Sequence, residues 1–194
     1  MINLFYEPFP DFVTVNGRNC HVVTDFREWI RLHDLLRDEN VPQRSKIFLL
    51  AEWFVNPPAL LAEAHIQALT DFYLVKDLEL HKDEEDENSE PEINFKPPVF
   101  DWKIDSKYLI ADFRQFYQIN LLQIKYLHWF EFTALFQALP EESQCQKRIY
   151  YRSVDLKQIK DKNEKKRIRK IKKSIALPYE MSDEQIGAAL AAAL

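Results

Sequence analysis

Between Asp11 and Val23 apolar residues alternate with polar ones, and beyond that point they recur at three- and four-residue intervals along most of the chain. In "DFVTVNGRNCHVV", Val13 and Val15 precede an Asn16-Gly17 pair, and Cys20, Val22 and Val23 follow it. Alternation on both sides of Asn-Gly predicts a β-hairpin, because a tight hairpin turn needs positive φ angles that this dipeptide adopts at low cost. A lone hairpin is marginal in water and must pack on something. The next segment offers a partner: Phe26, Trp29, Ile30, His33 and Leu36 share one helical face, with Thr24 as the expected cap and Asp25 in the first turn.

A second helix is expected from Pro42, carrying Ile47, Leu50, Ala51 and Phe54. A third should follow Pro58, with Leu61, Ala64, His65, Ala68, Leu69 and Phe72 as its stripe. The periodicity then fails. "DEEDENSEPEINFKPP" is too charged to bury the apolar surface that would offset ordering its backbone, so residues 77–98 are expected to form a flexible acidic loop. Helical spacing returns with Asp105 as a cap and Leu109, Phe113 and Phe116 on one face. A longer helix is expected from about Asn120 through Leu121, Ile124, Leu127, His128, Phe132, Leu135, Phe136 and Leu139 to Pro140. Another carries Cys145 and Ile149. The last main helix is strongly basic, with a thin apolar line at Ile168, Ile171 and Ile175 and a stop at Pro178; a short one could start at the Ser182/Gln185 capping box.

These elements predict a mainly α protein, a single helical domain over residues 1–178. The hairpin occupies 11–23, a first helical half 24–76, the loop 77–98 and a second half 99–178. The predicted core includes Trp29, Phe113, Leu127, His128, Phe132, Leu135 and Phe136. Residues 179–194 form a tail whose closing Ala-Ala-Ala-Leu looks like residue added in cloning.

Composition narrows the chemistry. Of 194 residues only two are glycine, so no glycine-rich loop can cradle a nucleotide's phosphates, which removes P-loop and dinucleotide-fold enzymes. Two distant cysteines make neither a disulfide framework nor a four-cysteine zinc site, and they suit a reducing cytosol. The first residues lack the basic-then-apolar order of a secretory signal, and no apolar run is long enough to cross a bilayer. His128 and Glu131, three apart in an aromatic run, could share a helix face as metal ligands. A metal site needs more donors than two, so a packed core histidine beside a solvated glutamate is the favoured reading. No nucleophile motif occurs, and neither catalytic residues nor metal nor cofactor are expected.

Charge is polarised. Asp83, Glu84, Glu85, Asp86, Glu87, Glu90 and Glu92 crowd one segment, while half of all lysines and arginines lie between Lys147 and Lys173. Lys165, Lys166, Arg169, Lys170 and Lys173, with Arg167 and Lys172 among them, are the candidate partner-binding residues. Such a run is a solvated face, a phosphate-binding surface, or a surface that pairs with acidic protein, either the chain's own loop or a partner. Against phosphate, the chain is negative overall (−5) and the run has no interleaved aromatic residues for base stacking.

Several blocks carry a family resemblance: Asp112-Phe113, Asn120-Leu121, Tyr126-Leu127-His128-Trp129, Phe132, Ala134-Leu135-Phe136, Leu139-Pro140, Tyr151-Arg152-Ser153, and the lysine-rich helix ending Ala176-Leu177-Pro178. With the Asn16-Gly17 hairpin leading into "TDFREW", they make the chain from Asp11 to Pro178 resemble the phage tail-module family written "gp fifteen". The resemblance implies a non-catalytic tail-assembly chaperone that binds the tape-measure protein, and perhaps other tail-assembly components, in the host bacterial cytoplasm. It implies absence from the mature virion, and the lack of a long apolar run leaves no membrane partner expected. Self-association stays open. The alternatives are a nucleic-acid-binding protein using the basic helix and a component retained in the finished tail.

Overall fold

The computed structural model describes residues 6–75 and 99–178; the acidic loop expected over 77–98 and the tail 179–194 lie outside the described residues. Among the described residues the protein is mainly helical with an N-terminal hairpin. The order is β1 (Phe12–Val15), β2 (Arg18–His21), α1 (Phe26–Arg37), α2 (Gln43–Leu49) running into a 3-10 turn (Leu50–Trp53), α3 (Glu63–Tyr73), α4 (Ser106–Tyr117), α5 (Trp129–Gln137), α6 (Gln144–Ser153) and α7 (Lys162–Ser174). The helices fall into two compact units. Residues 6–75 and 126–136 form the first, 99–125 and 137–178 the second. The halves are therefore not contiguous in sequence, because the stretch holding most of α5 joins the N-terminal unit.

In the first unit β1 and β2 pair antiparallel with Val13 opposite Cys20 and Val15 opposite Arg18. Asn16 and Gly17 both have positive φ, 50° and 76°, as the twist of a two-residue hairpin requires. Val13 and Val15 are buried on the face that α3 covers. Asp25, not Thr24, caps α1: its carboxylate accepts from Arg27 N at 3.0 Å and also grips the Arg27 guanidinium. The Thr24 carbonyl has another task, accepting from Trp129 N at 2.7 Å while Phe26 N donates to Leu127 O at 3.0 Å.

That pair of bonds corrects the expected helix from Asn120. His128 is drawn into an antiparallel bridge with Asp25, flanked by the Leu127 carbonyl bond to Phe26 N, and α5 starts only at Trp129. Upstream, Asn120 turns the chain, its side-chain oxygen accepting from Leu122 N and its carbonyl from Gln123 N and Ile124 N.

Aromatic residues fill the core of this unit. Trp29 stacks on Phe72 with centroids 4.8 Å apart, Tyr73 on Trp129 at 5.6 Å, and Phe26 on Phe132 at 4.5 Å. Each indole N–H finds a backbone carbonyl: Trp29 donates to Val23, Trp53 to Glu28 and Trp129 to Tyr73. None of these large rings therefore buries an unmatched donor. Trp29, Leu127, His128 and Phe132 are buried here and Phe113 in the second unit, whereas Leu135 and Phe136 are half-buried.

The second unit rests on buried charge. Arg152 on α6 makes a two-bond contact to Asp105 before α4, at 2.5 and 2.9 Å, with the carboxylate fully buried. The same guanidinium donates to Val99 O and Ile175 O, so it ties together the start of this unit's chain, the start of α4 and the end of α7. Asp105 sits at the N-cap of α4 as expected, yet its side chain makes no capping bond and serves Arg152 and the Asp101 N–H instead. Asp112, also buried, accepts from Gln144 N and Cys145 N at the first turn of α6, and Ser143 Oγ accepts from Gln146 N. A carboxylate at a helix N-terminus satisfies orphan N–H groups and complements the helix dipole.

Two stability outcomes follow. His128 Nδ1 accepts from Phe130 N at 3.0 Å, which leaves Nε2 to carry the proton and donate it to Pro10 O, also at 3.0 Å. Burial holds its pKa below the ordinary histidine value near 6.5, against weaker opposing pulls from the Pro10 bond and Asp11. The folded state then binds this proton less readily than the unfolded state, so the His128 contribution is complete above pH ~6.5 and is lost as pH falls toward the depressed value. Denaturant melts from pH 7.5 to 5 should show this slope, and His128→Asn, which keeps an acceptor for Phe130 N without titrating, should flatten it. Separately, Arg152→Met strands the Asp105 carboxylate and should destabilise by about 3–5 kcal/mol in urea unfolding. Adding Asp105→Leu should restore part of that loss.

Candidate functional site

Helix α7 begins at Asp161, whose carboxylate caps it by accepting from Glu164 N at 2.6 Å, and one face of it is held down. Ile168 is buried and Ile171 half-buried; Lys172 Nζ donates to Val154 O at 2.9 Å, and Arg152 holds the Ile175 carbonyl just past the last turn. The opposite face is left to water. Lys162, Lys166, Arg169 and Lys173 are all exposed, and their spacing of four, three and four residues puts them in one stripe along the helix. Lys170, exposed, and Lys165, half-buried, flank it on either side.

The structure thus brings together Lys166, Arg169 and Lys173 of the five candidate residues, sets Lys165 and Lys170 at the edges, and adds Lys162. Helical spacing in the sequence already held that addition. The six cations have no ion-pair partner among the described residues. Arg167 differs, since it pairs with Glu164 at 3.4 Å and also reaches Tyr151 Oη. Four pairs in this set stand four residues apart (162/166, 165/169, 166/170 and 169/173), and like charges at that spacing each destabilise a helix by about 0.2–0.5 kcal/mol.

The other candidates are accounted for by packing. Both His128 ring nitrogens are engaged, and Glu131 is exposed. The Cys145 thiol is buried beside Asp112, and burial first, then that carboxylate, push its pKa far above the ordinary range, so it is a packed, protonated thiol and not a nucleophile. Among the described residues no three His, Cys, Asp or Glu side chains come close enough to hold a metal ion. No helix there is long and apolar enough to cross a membrane.

Sequence spacing missed two features. Asp112 and Arg152 act across more than thirty residues of chain, a separation no local pattern reveals. In the first unit Phe48 on α2 and Leu60 before α3, both off the expected apolar stripes, are 84% and 80% exposed. Lys46 is buried on the same helix, donating to Leu36 O at the end of α1.

A helical protein of two compact units, presenting a cationic ridge on an anchored helix, is the class that these features define. The chain belongs to the bacteriophage Gp15 protein family, whose model matches residues 5–177. It is accordingly a bacteriophage protein, and the family suggests a structural or assembly-related one. No curated protein matches the chain. No solved structure does either.

If the ridge serves binding and not folding, Lys166→Gln/Arg169→Gln/Lys173→Gln should change unfolding free energy by no more than about 0.5 kcal/mol per site, and in the stabilising direction. Ile168→Ala on the opposite face should cost about 2–5 kcal/mol. Paired urea titrations of the two variants check the contrast.

Proposed function

We propose that this phage protein acts in tail assembly as a non-catalytic chaperone for the tape-measure protein. The observation that carries the reading is the stripe of exposed cations on α7, which nothing among the described residues neutralises and which suits acidic stretches of a helical partner. Family membership supports a role in building the phage particle. The exposed Phe48 and Leu60 supply apolar contact area for amphipathic segments of the same partner. Binding of this kind needs no titratable constellation and no cofactor. It is reversible, with a polar rim, so that the chaperone leaves as tube subunits polymerise around the tape measure. The protein then works in the host cytoplasm and is absent from the finished particle.

Co-expression with the phage's tape-measure protein tests the reading, followed by size exclusion with light scattering at low and high salt. The expected result is a soluble complex in which the partner, aggregated when alone, stays in solution. It should weaken several-fold but persist as salt rises, because screening removes the ridge's contribution and leaves the apolar one. No complex, together with duplex DNA binding that falls steeply with salt, would replace the chaperone with a nucleic-acid-binding protein. Recovery of the chain from purified virions would instead make it a tail component.

A further inference from the structure

The basic run has no aromatic residues of its own, but packing supplies them from the neighbouring helix. On α6, Tyr150 and Tyr151 stand three and four residues beyond the exposed Lys147 and so share a face with it. Tyr150 is 55% exposed, Tyr151 is half-buried, and their rings meet edge to face with centroids 5.2 Å apart. The Arg167 guanidinium, on the flank of α7, donates to Tyr151 Oη at 3.4 Å. Lys170, also exposed, lies three residues further along that flank, next to the ridge. The tyrosine pair is therefore bordered by cations of both helices. Its position is fixed: Arg152 donates to Ile175 O at 2.7 Å and Lys172 to Val154 O at 2.9 Å, which locks the end of α6 against the end of α7. Over residues 144–175 thirteen lysines and arginines stand against three acidic residues, so this stretch is strongly cationic although the chain as a whole carries −5.

We infer that single-stranded nucleic acid binds across α6 and α7, with bases stacked on Tyr150 and Tyr151 and phosphates paired with Lys147, Arg167 and Lys170. An aromatic ring set among cations offers a strand both of the contacts it can use, a surface for the face of a base and charge for the backbone beside it. A duplex keeps its base faces stacked on one another and can use only the charge, so the tyrosines select single strands. An acidic peptide has no bases to stack, and the same tyrosines separate a strand from such a peptide. The one carboxylate at the site, Glu164, pairs with Arg167 at 3.4 Å in an exposed contact, weak enough for a phosphate to replace it. DNA and RNA strands share the chemistry that the site reads. This binding is an activity additional to tail-assembly chaperoning and does not depend on it.

Fluorescence anisotropy of the full chain with labelled oligo-dT and oligo-rU of about fifteen nucleotides, a DNA duplex of the same length and heparin tests the inference. At about 0.15 M salt the single strands should bind more tightly than the duplex. Tyr150→Ala should weaken oligonucleotide binding about tenfold and leave heparin, which has charge but no bases, unaffected. Tyr150→Phe, which keeps the ring, should bind like the unaltered protein. Lys147→Gln/Lys170→Gln should weaken every ligand and lower the slope of log affinity against log salt by about 1.4 for the single strands. Tighter binding of oligo-rU or of oligo-dT assigns the strand to RNA or DNA, and either result supports the site. Failure of both strands to bind would overturn the inference. So would a duplex bound as tightly as the single strands, or oligonucleotide affinity unchanged by Tyr150→Ala, each of which leaves the surface to charge alone. Failure here leaves the chaperone reading standing, because that reading is tested by complex formation with the tape-measure protein.

Discussion

Two backbone hydrogen bonds decide how the first unit is threaded: Phe26 N to Leu127 O and Trp129 N to Thr24 O. They form a reciprocal cap. The first N–H of α1 is satisfied by the residue two before α5, and the first N–H of α5 by the residue two before α1. The next N–H of each helix goes to a side chain at the bridge, Arg27 N to Asp25 and Phe130 N to His128. Helix ends normally leave such donors orphaned, and here two helices a hundred residues apart in sequence solve the problem together. Everything aromatic around Trp29 depends on it, since Trp129, Phe130 and Phe132 reach that core only because α5 starts there. Phe9, stacked on the His128 ring at 5.0 Å, and Pro10, whose carbonyl that ring holds, fix the approach to the hairpin on the same histidine.

The second unit meets the same requirement with buried carboxylates in place of a bridge. Asp112 reaches from α4 to the first two N–H groups of α6, and Asp105 takes the Arg152 guanidinium that also collects the carbonyls of Val99 and Ile175. A buried ion pair adds little net stability relative to apolar residues of the same shape, but a wrongly registered α6 would leave two carboxylates and a guanidinium unmatched. The pair thereby specifies one arrangement of the ends of α4, α6 and α7. Its consequence is the orientation of α7, whose Ile168 face is committed to the interior and whose lysine face is committed to water.

Legibility followed the range of the interaction. The Asn16-Gly17 hairpin, the basic helix and the Ile168 line were readable because each depends on neighbours within about four residues. The start of α5 was not, since the apolar spacing from Leu121 to Leu139 satisfies a helix, whereas the Asn120 turn and the bonds to Thr24 and Phe26 hold the chain out of helix until Trp129. The end of α4 was equally hidden. Gln118 takes the left-handed conformation, with φ 60°, and Ile119 N closes back onto Phe113 O, a role that glycine usually fills and would have marked. Asp105 read as a cap and proved to be an ion-pair partner because the deciding residue, Arg152, is 47 positions away. Of the candidate site, residue identity was legible, whereas the anchoring that turns a charge run into a directed ridge was not.

The ridge itself is poorly explained by stability. Lysine and arginine are good helix formers, but so are glutamine and alanine, and placing six unpaired cations on and beside one stripe adds repulsion that a mixed surface avoids. Helix-dipole compensation justifies only the last turn, where Lys172 and Lys173 lie, and Lys172 is already occupied with Val154 O. Solubility does not require it either, because the chain carries net charge of the opposite sign. An anion that lies along the stripe relieves the repulsion, and the relief grows with the number of cations it spans. A long acidic segment therefore fits better than a compact charge. That preference for an extended anionic chain over a compact anion is a property of the spacing on α7.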